Sequence, residues 1–158
     1  MAESLSREVI HKIEQASGLY HQLVLLVAPS GSGKTMALRE VQQNLDVPII
    51  NVNLEISKRL LDITVRQRAF QVAQLLDNIL HEIERDVVLL DNVEILFDQS
   101  LQQDPLKLLQ GLSRNRTIVS TWNGEIKGSS LLYGAPGHPE YRRYAAKDCL
   151  TVCPSQKE

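Results

Sequence analysis

At 158 residues the chain has room for one domain, because a chain of that size buries roughly 70% of the surface it exposes when unfolded, and no second catalytic domain fits. Hydrophobic residues make up 43% and charged residues 23%, a composition that excludes a disordered or fibrous protein. The formal net charge is -2, so any nucleic-acid contact must rest on a local basic patch rather than on the overall field.

The longest apolar runs, "LVLLVA" and "VVLL", are strand-sized and exclude a membrane span. The opening "MAESLSREVIHKIE" carries charges among its apolar residues and lacks a signal-peptide core, so a cytoplasmic protein is expected. The two cysteines, Cys149 and Cys153, have no second pair or histidine pair to complete a metal site and read as reduced structural thiols.

Along the chain, strand patterns alternate with helical ones, which predicts an α/β parallel sheet. Residues 1–20 read as an N-terminal helix with Leu5, Val9, Ile10 and Ile13 on one face, a cap at Ser4 or Ser6, and a break at Ser17-Gly18. Residues 23–27 form the first strand, and Met36, Leu38, Val41 and Leu45 follow at helical spacing. "VPIINVN" reads as the second strand, and Val72, Leu76, Ile79 and Ile83 then place one apolar stripe on a long helical region. "DVVLLDN" is the third strand. "DPLKLLQGL" opens a helix with Asp104 as cap and Pro105 at its first position. "TIVSTWNG" and "DCLTV" complete five strands, the core spanning residues 23–152 and a tail 153–158.

The octet "APSGSGKT" has the spacing of a loop that cradles phosphate: Ala28, Pro29, Ser30, Gly31, Ser32, Gly33, Lys34 and Thr35, with Met36 just inside the helix that follows. Such a loop must turn several backbone N–H groups toward the β- and γ-phosphates with no side chain in the way, and Gly31 and Gly33 meet that need. Lys34 supplies a point charge and the Thr35 hydroxyl a ligand for Mg2+. The usual first glycine is Ala28, a small departure.

In "VVLLDNVEILF" a buried apolar run ends in Asp91, a second expected Mg2+ ligand at the carboxyl end of a strand. Hydrolysis of ATP further needs a carboxylate to orient or deprotonate water. Asn92 follows Asp91 and cannot take a proton, which leaves Glu94, Glu55 past the second strand, or no competent base. The strand end in "STWNG" presents Ser120, Thr121 and Asn123, hydroxyls and an amide able to sense the γ-phosphate and hold the attacking water. Arg142 and Arg143, between the fourth and fifth strands, offer a guanidinium that reaches the nucleotide of a neighbouring subunit, which would require an oligomer. Lys58, Arg59, Arg66 and Arg68 form a basic cluster for a DNA contact, interrupted by Asp62 and without interleaved aromatics. A small-molecule kinase shares the phosphate loop, with residues 124–144 as a short lid.

Together "APSGSGKT", "VVLLDN", "TWNG" and the paired arginines before "DCLTV" resemble the AAA+ ATPase core. The resemblance implies a P-loop NTPase three-layer α/β sandwich, with a central parallel five-stranded sheet whose fourth strand lies between the first and third. It implies ring or filament interfaces, and a central channel faced by the region of the basic cluster. Only six residues follow Val152, so the family's helical lid, with its second sensor arginine, is not expected.

More closely, "LLDNVEILF", "IVSTWNG" and "LLYGAPGHPEY" are similar to BrxF, the small P-loop proteins of type III BREX phage-defence systems. That resemblance implies work beside a DNA methyltransferase, a large ATPase, a phosphatase-like protein and a helicase.

Overall fold

The computed structural model describes residues 2–134, 137 and 139–154. Ala135, Pro136 and His138 of "LLYGAPGHPEY", and residues 155–158 of the expected tail, lie outside them.

Strand β1 (Leu23–Ala28) is buried along its whole length. A strand with no polar face needs cover on both sides, which only a sandwiched parallel sheet provides. Leu23, Leu25 and Val27 enter one core while Val24 and Leu26 enter the other, as the two-residue period of a strand requires. The second core is closed by α1 (Ala2–Ala16) and α2 (Lys34–Leu45), which pack on each other and on β1. The first is closed by α3 (Val52–Leu60), α4 (Val65–His81) and α5 (Pro105–Leu112).

With β2 (Ile49–Asn51), β3 (Val87–Asp91), β4 (Thr117–Lys127), β5 (Ser130–Tyr133), β6 (Arg142–Ala145) and β7 (Leu150–Val152), the sheet has the order β2-β3-β4-β1-β7, with β5 paired to β4 and β6 to β5. The five strands of the main path are parallel, and β4 lies between β1 and β3 as expected.

Several expectations are corrected locally. Helix α1 already begins at Ala2, so neither Ser4 nor Ser6 is its cap, and Ser6 is buried inside it. Met36 is 54% exposed and leaves the α2 core to Ala37, Leu38 and Val41. The second strand ends at Asn51 because that side chain accepts from Leu54 N at 3.1 Å and caps α3, which takes Val52 and Asn53 into the helix. The long helical region is two helices, broken over 61–64, and Ile83 lies past the end of the second. Asp104 caps α5 as the sequence predicts, accepting from Lys107 N at 3.2 Å.

The largest departure is the extension of β4 to Lys127 and its antiparallel pairing with β5 and β6, which replaces the short lid. An aromatic cluster fixes this hairpin to the segment after β3. Phe97 stacks on Tyr133 with centroids 3.4 Å apart, and Trp122 meets both rings edge-on. Trp122 Nε1 donates to Leu132 O at 3.0 Å, so the indole is buried without an unpaired donor. Gly124 admits the crossing, since a Cβ there would lie 1.8 Å from Leu132 O.

Candidate functional site

The carboxyl ends of β1, β3 and β4 open onto a cavity of about 280 Å3 lined by residues of the loop after β1, by Asp91, Asn92 and Glu94, and by Thr121 and Asn123. Open α/β sheets bind ligands at this edge.

Gly31 and Gly33 have φ of 81° and 85°, a left-handed backbone that glycine adopts without penalty. Helix α2 then starts at Lys34, and its first turn carries no acid to oppose an anion. Ala28 is the last residue of β1, 3% exposed, paired with Asn123 across the ladder and outside the cavity lining. Its methyl therefore sits in the sheet and not in the space a phosphate would take. Ser30 lines the cavity, whereas Pro29, Ser32 and Met36 do not. Pro29 instead borders an adjoining cavity of about 350 Å3, which Ser30 and Asn123 also line together with Gly124, Glu125 and Gly134.

Lys34 Nζ donates to Ala28 O at 2.9 Å and Pro29 O at 2.8 Å. Burial lowers its pKa from the ordinary lysine value, an effect opposed by the carboxylates of Glu94 and Asp91. Thr35 Oγ1 donates to Asp91 Oδ2 at 2.7 Å, and Asp91 Oδ1 accepts from Asn92 N at 2.9 Å and Thr121 Oγ1 at 3.2 Å. Thr121 thus aims the carboxylate, a role absent from the sequence reading. A hydroxyl and a carboxylate in contact at the foot of a phosphate loop are a hard-oxygen donor pair, which fits Mg2+. The residues present accordingly suit a magnesium nucleotide: Thr35 and Asp91 would hold the metal, and Lys34 with the loop amides the phosphates.

Asn92 has φ of 53°, a conformation asparagine tolerates better than most residues. That turn leads into a 3-10 turn over Glu94–Phe97 and returns Glu94 to the cavity wall. There Asn123 Nδ2 donates to Glu94 Oε2 at 2.6 Å and Asn53 Nδ2 to Glu94 Oε1 at 3.2 Å. Asn53 is tied further: Ile95 N donates to its Oδ1 at 2.7 Å, and its own N donates to Asn92 O at 2.8 Å. The sequence reading missed Asn53. The available signal was "NVN", a second amide in the first turn of a helix just after its asparagine cap at the end of the edge strand β2.

Glu55 does not line this cavity and lies 3.6 Å from Lys58 and 3.7 Å from Arg59 on α3. Arg59 also meets Glu82 at 3.8 Å, and Arg68 Nε donates to Ile63 O at 3.1 Å. Of the four cluster residues only Arg66, on α4, makes no side-chain bond among the described residues. Arg142 and Arg143 stand on β6. Arg142 Nη1 donates to Gln103 O at 3.1 Å with its guanidinium 6.0 Å from the Phe97 ring, while Arg143 is exposed and its side chain makes no bond among the described residues. Among the described residues Cys149 and Cys153 are free, no cluster of three metal-ligating side chains occurs, and no helix is long and apolar enough to cross a membrane.

No curated protein matches the chain by sequence. In fold it is similar to the structure of C. elegans PCH-2, with a TM-score of 0.55 and 16% identity over 99% of this chain. It spans 43% of that longer chain. The model of the ATPase family associated with various cellular activities (AAA) matches residues 24–121. That stretch exceeds half of the chain and runs from β1 through Asp91 to Thr121, so the protein belongs to the AAA ATPase family.

Proposed function

We propose that the chain is an ATP-hydrolysing oligomeric switch in which Glu94 orients and deprotonates the attacking water, serving a BREX-type phage-defence system beside its methyltransferase, large ATPase, phosphatase-like protein and helicase. The observation that carries the catalytic part is the convergence of Lys34, Thr35, Asp91, Glu94 and Asn123 on one cavity. The defence role rests on the similarity of "LLDNVEILF" and its companion strings to BrxF. The load is a partner protein or DNA.

In this reading the loop amides and Lys34 bind the phosphates, Asn123 holds both the γ-phosphate and Glu94, and Glu94 receives the water proton. Mg2+, when bound, neutralises charge that develops on the phosphate oxygens. Arg143 is the arginine free to enter a neighbour's site. A second reading, nucleotide binding as an assembly signal with negligible turnover, draws on Asn92 directly after Asp91.

Phosphate release by wild type, Lys34→Ala, Glu94→Gln and Glu55→Gln proteins separates these readings, with light scattering on the same samples. Release by wild type and Glu55→Gln alone, with ATP still bound by Glu94→Gln, is the expected pattern. Equal release by Glu94→Gln and wild type rejects Glu94 as base, and ATP-dependent assembly without any release supports the second reading. Phage plating on cells whose defence locus carries Lys34→Ala tests the biological assignment.

A further inference from the structure

Phe70 is the most exposed large apolar side chain among the described residues, at 83%. It stands on α4, which buries Val72, Leu76, Ile79 and Leu80 along a neighbouring face. At 100° per residue, Arg66, Phe70, Ala73 and Asp77 fall in one stripe on the outer face, and all four are exposed. Neither Arg66 nor Asp77 has a side-chain partner among the described residues.

The stripe is self-complementary. When a second α4 runs antiparallel, the residue pairs that meet share one centre of symmetry, between Gln71 and Val72. About that centre Arg66 faces Asp77 of the other copy and Phe70 faces its Ala73. The large ring meets the smallest side chain of the stripe, and each end brings opposite charges together. A two-fold axis repeats both contacts, as an isologous interface demands.

We propose that the outer face of α4 pairs with α4 of a second copy in this antiparallel register, independently of nucleotide. The residues of the stripe are separate from those lining the nucleotide cavity, so this face goes beyond the ATPase reading. A single-stranded nucleic acid is the other occupant an exposed aromatic and a cation suggest. It fits less well, because Lys58 and Arg59 are paired with Glu55 and Glu82 and Arg68 is turned to Ile63 O, and because Asp77 shares the stripe.

The test is sedimentation velocity of the full chain without nucleotide, with circular dichroism as a check on folding. Wild type should dimerise. Arg66→Asp sets Asp against Asp and Asp77→Arg sets Arg against Arg, so each should weaken the dimer by about tenfold or more. The double variant should return to within a few-fold of wild type, and an equimolar mixture of the two single variants should form a heterodimer. Phe70→Ser should weaken association without changing the charge pattern. A wild-type monomer at all concentrations overturns the proposal, as does a double variant no stronger than the singles. A monomer that binds oligodeoxythymidylate and loses it with Phe70→Ser would assign the face to nucleic acid instead.

Discussion

The Asn53 side chain holds the Glu94 carboxylate at 3.2 Å while accepting from the amide of Ile95 at 2.7 Å, so one amide positions both the candidate base and the turn that carries it. Asn123 holds the other carboxylate oxygen at 2.6 Å. Removing a group that positions a base typically costs less than removing the base. Glu94→Gln should lower kcat on the order of 10²–10⁴-fold. Asn53→Ala should lower it by about 10–100-fold with ATP affinity nearly unchanged. Steady-state phosphate release and equilibrium binding of a fluorescent ATP analogue measure the two separately; a fall in affinity that accounts for the whole loss would place Asn53 outside catalysis.

The two arginines of β6 should behave differently on substitution. Arg142 is bonded to Gln103 O and lies over Phe97, so Arg142→Ala should lower the melting temperature. Arg143 is exposed, and Arg143→Ala should leave the melt unchanged while reducing turnover by about 10³-fold, the lower end of what an inserted arginine supplies. Turnover unaffected by Arg143→Ala would remove it from the neighbouring site.

Gly124→Ala places a methyl carbon 1.8 Å from the carbonyl oxygen of Leu132. Backbone cannot yield as a flexible side chain does, so the substitution should destabilise the fold by about 1–3 kcal/mol. Gly111→Ala on α5 meets nothing within 4 Å and should instead stabilise by about 0.5–1 kcal/mol through helix propensity. Paired thermal melts check both signs.

Burial, aided by Asp148, pushes the Cys149 thiol up to about 11 from an ordinary 9.0. At pH 8 the folded protein should carry about 100-fold less Cys149 thiolate than the unfolded chain and react correspondingly more slowly with iodoacetamide. Between pH 9 and 11 the unfolded chain releases this proton first, so the native state binds more protons and stability falls as pH rises. Cys149→Ser should lack that component of alkaline destabilisation in urea titrations. Peptide mass spectrometry of the alkylated protein follows the first effect.

Residues that carry their meaning locally were legible before any coordinates. The glycines of "SGSGKT" permit the left-handed backbone that a phosphate loop requires, and a fully apolar β1 demands cover on both faces. Both follow from short-range sterics and solvation, and the order of the parallel sheet came with the family resemblance. The choice between Glu55 and Glu94 was not legible, because it depends on a left-handed turn at Asn92 and on amides 41 and 29 residues away in sequence. The hairpin of β4, β5 and β6 was equally hidden, since its stability comes from Phe97, Trp122 and Tyr133 meeting across distant segments. The amino-acid sequence by itself determined the glycine loop after β1, the carboxylate at the end of β3 and the layered α/β class, all of which rest on local backbone and burial preferences. Only the tertiary structure decided which glutamate lines the cavity and which arginine of β6 is exposed, because those outcomes depend on hydrogen bonds between elements that meet only when the chain folds.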